Sequence, residues 1–324
     1  MADNYSGDAT QTFLLNDIER PIIGGLLGII SVCSFYGNIL VITAFTLSRK
    51  LQNTTNIFVV NLSVADLITS LGIPVNVVAI ASPRLLPGWL CVWCGFFSVV
   101  CVGCSVYTLA CIAAYRLNVI SRRQRGWTKF ARAVIISVVV GLTWIIPGAV
   151  AALPLVFGLG EFGYNSKYSS CTWNSYTQTT MYSLILSASY YPIPMIIITT
   201  CYAKIFFILR NVKKRVNQEP TVPSLSSGVL RPAQRAPCAM EKRQATVTKN
   251  MFYVVCAFLL CMTPYSVALV TPGSDTFIPY AGVILMLSSS VNPTIYATKH
   301  PDFSKVMRKI ATCKFNQIPH NVLK

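Results

Sequence analysis

Few side chains in this sequence are placed to do acid–base or nucleophilic work. Asp66 is the one acid inside a long apolar stretch, and the two histidines, His300 and His320, lie outside every such stretch. No carboxylate pair, Ser–His pair or metal-ligand motif presents itself, so an enzyme is not expected. Asp66 is informative for another reason. A carboxylate in an apolar helix costs about 2.5 to 3.5 kcal/mol on insertion scales, so it calls for a partner. Arg116 ends a different apolar stretch, where the plain alternative to a functional role is a side chain that snorkels to a polar boundary. Of twelve cysteines, Cys33, Cys101, Cys104, Cys111, Cys201, Cys256 and Cys261 sit among apolar neighbours as small apolar residues. Cys91, Cys94 and Cys171 are better placed for a bridge in an oxidising compartment, with either of the first two open to the third.

The elements that must hold these residues follow from composition. Hydrophobic residues make up 53% and charged residues 11% of 324, where soluble domains carry about 25% charged residues. A hydrocarbon layer of about 30 Å takes roughly 20 apolar residues at the helical rise. Seven runs of that size occur: Ile22 to Thr46, Asn56 to Ile80, Cys91 to Tyr115, Ala133 to Leu155, Met181 to Leu209, Met251 to Val270, and Phe277 to Thr298. The fold class expected is an all-α membrane protein, a bundle of seven spanning helices over residues 22–298.

A net charge of +17 suggests nucleic acid until its placement is traced. With seven spans, 24 of the 27 Lys and Arg residues fall in the segments on one side, which the positive-inside rule assigns to the cytoplasm. The partners expected are membrane lipids, not nucleic acid. Residues 1–21, with Asp3, Asp8, Asp17 and Glu19, then lie outside, and Asn4 in Asn4-Tyr5-Ser6 is a glycosylation candidate. No cleavable signal peptide is visible, so the first span is expected to insert the chain. The inner loop 211–245, rich in Pro, Ser and basic residues, is expected to be disordered. In the tail, 299–324, Phe303, Met307 and Ile310 recur at helical spacing opposite Lys305, Arg308 and Lys309, a short amphipathic helix on the inner membrane surface.

Motifs recur in order along the spans: Gly37-Asn38 and Val41; Asn61-Leu62-Ser63-Val64-Ala65-Asp66 and Pro74; Cys91, Ser105, Leu109, Ile112, Ala113 and Arg116; Trp144 and Pro154; Pro194 and Tyr202; Phe258 and Pro264; and Asn292-Pro293-Thr294-Ile295-Tyr296, then Phe303. One such motif is weak; the series over seven spans resembles the rhodopsin-like (class A) G-protein-coupled receptors. Residues 162–173 are similar to the same loop of melatonin-receptor-like orphans.

The resemblance implies a plasma-membrane receptor that passes an extracellular signal to a heterotrimeric G protein. It pairs Cys91 with Cys171. It places a sodium ion at Asp66, with Ser105, Ser289 and Asn292, and Asn38 nearby, the one cofactor expected; the alternative is a neutral carboxyl held by hydrogen bonds. It gives Tyr115, Arg116, Tyr202, Asn292, Pro293 and Tyr296 the coupling and activation roles. Two departures stand out. Tyr115 and Leu117 flank Arg116 where an acid and a Tyr are usual, with Gln244 in place of a second acid, and Met262 replaces a common Trp.

Those departures leave a signalling-deficient receptor or scaffold as the alternative, ahead of a transporter, for which a lone Asp66 makes a poor ion path. For the ligand, the pocket candidates are Ser98, Val99, Val102, Tyr191, Met262 and Tyr265. No Asp in the outer third span awaits an amine, and no Lys precedes Lys299 in the seventh, so a retinal Schiff base has no attachment point. Aromatic and hydroxyl residues there, including Phe96, Phe97, Tyr190 and Tyr280, suit a neutral or lipid-like small molecule.

Overall fold

The computed structural model of the chain describes residues 15–82, 85–121, 128–175, 181–218, 232–300 and 302–318. Within a hydrocarbon layer every backbone N–H and C=O must be paired inside its own segment, and uncharged runs of this length therefore become helices. They are α1 (Glu19–Leu47), α2 (Thr54–Ala81), α3 (Gly88–Ile120), α4 (Lys129–Phe157), α5 (Met181–Tyr190), α6 (Pro192–Gln218), α7 (Pro232–Val270) and α8 (Ile278–Lys299), with a short α9 (Phe303–Ala311) after them. The described residues give seven spans, α5 and α6 together making the fifth.

Local chemistry sets several ends. The side chain of Asn53 accepts from the Asn56 amide at 3.2 Å, and Thr128 accepts from Ala131 at 3.2 Å, satisfying first-turn donors of α2 and α4. Gly158 closes α4 in the left-handed region, φ 63°. The fifth run, expected as one helix, breaks at Tyr191, because Pro192 lacks the amide that would continue the ladder.

The chain of packing runs α1 on α2, α2 on α3, α3 on α4 and α6, α7 on α8, and α8 back on α1. α3 is the central strut: 61% of its apolar window is buried, against 17% for the peripheral α4. Two close approaches need glycine. A Cβ on Gly37 of α1 would stand 2.7 Å from Cγ of Pro293 in α8, and one on Gly103 of α3 would stand 2.7 Å from Cβ of Pro147. The main core fills the α9 half of the bundle with Val41, Leu62, Leu109, Met251, Tyr296 and Phe303.

At the other end, α4 and α5 are joined through a hairpin that hydropathy gave no sign of: β1 (Gly160–Asn165) pairs antiparallel with β2 (Ser170–Ser175), Tyr164 opposite Cys171. Cys171 is bonded to Cys91 in the first turn of α3, and its amide donates to Oδ1 of Asn76 in α2 at 2.8 Å. Cys94, the rival thiol, turns instead to α2, donating to the Gly72 carbonyl at 3.3 Å.

The segment 211–245, expected to be disordered, is helical at both edges, to Gln218 and from Pro232. Extending an existing helix costs far less than nucleating one, so α6 and α7 run on past their apolar cores. Residues 219–231 lie outside the described residues, as does Asn4. α9 buries Phe303, Val306 and Met307 and exposes Lys305 and Arg308, the amphipathic pattern expected of the tail.

Candidate functional site

Three groups of residues stack along the bundle. In the middle, α2 presents Asp66, 2% exposed. Its Oδ2 accepts from Nδ2 of Asn292 in α8 at 2.8 Å and its Oδ1 from the Ser105 hydroxyl of α3 at 3.4 Å; Ser289 also hydrogen-bonds its side chain. Asn38 of α1 joins from the side, donating to the Ser34 and Ser289 carbonyls at 2.8 and 3.1 Å. All five residues named for this cluster are therefore brought together. Oδ1 of Asn38 and Oδ1 of Asn292 are buried and accept no hydrogen bond from the described residues. Buried amide oxygens are rarely left so. Orphaned oxygen lone pairs around a carboxylate are the ligand set of a hard monovalent cation or of water, so the residues present fit a sodium ion.

Toward the hairpin end lies a cavity of about 170 Å³. Ser98, Val99 and Val102 of α3 line it with Met262 and Tyr265 of α7; α1, α2, α5 and α8 contribute Leu27, Thr69, Tyr190 and Met286. Among the described residues, no Asp, Glu, Lys, Arg or His is in its lining. Tyr191, the remaining candidate, is not among the residues that line this cavity; at the α5–α6 break its hydroxyl is paired with Thr263 at 3.0 Å. Phe96 packs edge-on against Phe162 of the hairpin, and Phe97 is exposed on the outside of the bundle.

The roof of the cavity was not legible beforehand. Tyr168, in the hairpin turn, lines it and donates to Oδ1 of Asp275 at 2.6 Å, while Lys167 pairs with Oδ2 of Asp275 at 2.7 Å. Burial, and then the hydrogen bond to Asp275, push the Tyr168 phenol well above its usual range. A second tie joins α1 to α8, Tyr280 donating to Oε1 of Glu19 at 2.5 Å, and Leu15 closes that side. Lys167 and Asp275, far apart in sequence and each ordinary in a loop, gave no signal that they would meet.

Toward α9, Arg116 is 3% exposed and interacts electrostatically with Tyr202 and Tyr115. Tyr115 is half-buried with its ring on Phe58 of α2, centroids 5.9 Å apart. Tyr202 meets Phe252 of α7 at 5.1 Å, and Tyr296 stacks on Phe303 of α9 at 5.9 Å, which links the end of α8 to the tail helix. The hydroxyls of Tyr202 and Tyr296 are buried with no hydrogen-bond partner among the described residues. Nδ2 of Asn250 donates to the Lys299 carbonyl at 2.6 Å, which holds that lysine at the α9 end of α8, away from the cavity.

A buried carboxylate cluster between a neutral cavity and a buried arginine, on a seven-helix frame, is a receptor's arrangement. The family model described as "7 transmembrane receptor (rhodopsin family)" matches residues 37–296. The chain belongs to this family: it is a multi-pass membrane protein and a G-protein-coupled receptor, not an enzyme.

Among curated relatives, it is 29% identical over 300 residues to "Rhodopsin, GQ-coupled" of Mizuhopecten yessoensis, covering 88% of this chain and 58% of that one. It is 30% identical over 309 residues to a melanopsin of Rutilus rutilus, covering 89% and 57%. To melatonin receptor type 1C of Xenopus laevis it is 28% identical over 294 residues, covering 86% and 64%. The chain spans less than two thirds of the length of each of these three proteins. The melatonin-receptor identity is no higher than that to either of the two opsins named here. The crystal structure of squid rhodopsin shares the fold, with a TM-score of 0.79 at 23% identity, covering 94% of this chain and 84% of that one.

Proposed function

We propose that this receptor lies in the plasma membrane with its N-terminus and hairpin end outside, binds a neutral, apolar small molecule reversibly, and signals to a heterotrimeric G protein at the α9 end. The observation that carries this reading is the cavity without a charged side chain, roofed by the hairpin and set directly above the Asp66 cluster. An amine or an acid would find no counter-charge there and would lose its hydration uncompensated. Met286 on α8 and the absence of any lysine among the described lining residues argue for a ligand held without a covalent bond.

Residues 1–21 form the outer segment, 22–298 the bundle, and 299–324 the inner tail. Asp66, Ser105, Ser289 and Asn292, with Asn38 behind them, would hold a sodium ion; its charge would offset that of the carboxylate. Arg116, Tyr115, Tyr202, Asn292, Pro293 and Tyr296 form the inner face that meets the G protein. Since one relative is named as GQ-coupled, the Gq class is the first to test.

The experiment is a screen of neutral, cationic and anionic small molecules on cells expressing the full chain, read by G-protein activation. The active compounds should be neutral and apolar. Val102→Trp should abolish their effect, and Arg116→Ala should spare binding while suppressing the signal. Agonists confined to amines or acids would refute the ligand class, and full coupling by Arg116→Ala would refute the inner face. Glycosidase treatment that shifts the wild type but not Asn4→Ala would support the orientation; no shift in surface-expressed protein would count against it.

A further inference from the structure

Three tyrosines line the cavity, and two have acceptors built into the protein: Tyr168 donates to Asp275, and Tyr190 donates to the Pro147 carbonyl at 3.3 Å. Tyr265 of α7 is the exception. Its hydroxyl makes no hydrogen bond to any described residue, whereas those of Tyr191, Tyr107 and Tyr280 all find partners. Behind it stands Tyr182 of α5, 1% exposed, whose hydroxyl is also without a partner among the described residues. Tyr182 is held by its ring on the Trp173 indole of β2, centroids 4.9 Å apart, and is electrostatically coupled to Tyr265. Tyr265 is only partly buried and lines the cavity, so its hydroxyl opens onto that space, whereas the Tyr182 hydroxyl is buried, where a donor without an acceptor loses the free energy of its lost hydration.

The surroundings define what is missing. A phenol is a better donor than acceptor, so the absent group is an acceptor. The acceptor must be neutral: no cation among the described residues lines the cavity, and Lys167, at the roof, is already paired with Asp275. Apart from the hydroxyls and Asn76, the remaining lining is aliphatic or thioether, including Val99, Val102, Met262 and Met286. Resting on the reading of this cavity as the ligand site, we propose that Tyr265 donates a hydrogen bond to a neutral oxygen acceptor, a carbonyl or ether, at one end of an otherwise hydrocarbon ligand. Tyr265 is then the residue that distinguishes an oxygenated ligand from the hydrocarbon of the same shape. A site built to hydrogen-bond one polar group discriminates strongly against the analogue lacking it.

The test uses three ten-carbon probes, decan-2-one, decane and decanoate, on the purified full chain in lipid nanodiscs. Binding is read from the thermal-unfolding shift, with Val102→Trp, which fills the cavity, as the blank for lipid partitioning. Infrared difference spectra of carbonyl-labelled decan-2-one report directly on the hydrogen bond. The wild type should prefer the ketone to the alkane by roughly tenfold, and Tyr265→Phe, which keeps the ring, should bring the two near parity and remove the down-shifted carbonyl band. An unchanged preference and band in Tyr265→Phe overturns the assignment while leaving the cavity as a ligand site. Preference for decanoate overturns the neutral acceptor. Failure of both ketone and alkane to stabilise the wild type above the blank overturns the cavity reading itself, and this inference with it.

Discussion

Replacing Asp66 with Asn changes one oxygen to an NH2 group and removes a charge while leaving the shape of the cluster nearly intact. In the wild type the carboxylate ties α2 to α8 through the 2.8 Å bond from Asn292 and to α3 through Ser105. An asparagine at 66 can still accept the Asn292 hydrogen bond through its own oxygen, so the bundle should fold. It cannot attract a cation. If sodium is present at ten times its dissociation constant, its binding to the native state alone stabilises the wild type by about 1.4 kcal/mol. At about 2 to 4 °C per kcal/mol for a chain of this order, sodium should raise the unfolding temperature by roughly 3 to 6 °C over choline of equal ionic strength. The assay is thermal unfolding of purified receptor in matched sodium and choline buffers. Asp66→Asn should unfold at the same temperature in both. Ser105→Ala, which keeps the charge and loses one oxygen, should retain part of the difference. A wild type indifferent to sodium refutes the ion site and leaves a neutral carboxyl satisfied by Asn292, Ser289 and Ser105 alone.

Three further outcomes follow from other parts of the bundle. Tyr115 lies on Phe58 and offers Arg116 at most a hydroxyl, so Tyr115→Asp should lower ligand-free G-protein activation at equal surface expression. An added contact worth about 1.4 kcal/mol to the inactive state shifts the two-state ratio tenfold; a rise in basal output would refute an inactive-state contact between Asp at 115 and Arg116. Cys91→Ala should cost about 4.5 kcal/mol on the chain-entropy account of its 80-residue loop and sharply reduce folded protein at the cell surface, whereas Cys94→Ala should be mild. Equal surface levels of the two variants would contradict the pairing. Gly37→Ala should lower the unfolding temperature, because its methyl group would meet the Pro293 ring at 2.7 Å and force α1 and α8 apart at a cost of about 1 to 3 kcal/mol; an unchanged unfolding temperature would show that the seam gives way freely.

The frame was legible in the sequence because hydropathy is a local property. Any run of about twenty uncharged residues must pair its own backbone in lipid, and the seven runs became seven spans whatever their neighbours were. The amphipathic spacing of Phe303 and Met307 likewise marked the tail helix. Partnership is not local. Asn292 reaches Asp66 from 226 residues away, and residue type alone did not choose between Ser98 and Ser105 of α3; only the family resemblance named Ser105 and Asn292 for Asp66. That choice depends on how each helix is rotated, which packing against α3 decides. The same rotation sends Cys91 to Cys171 while turning Cys94 three residues later onto α2, and the break before Pro192 accompanies Tyr191 paired with Thr263, away from the cavity that Tyr190 lines. The hairpin of residues 160–175 and the Lys167–Asp275 tie over the cavity arise only when the helix ends are brought close together. Composition alone determined that this chain crosses a membrane seven times. What meets inside the bundle, a carboxylate cluster beneath a neutral cavity where Tyr265 has no acceptor among the described residues, was decided by tertiary packing, because a helix's sequence fixes which residues share its faces but not which face its neighbours will cover.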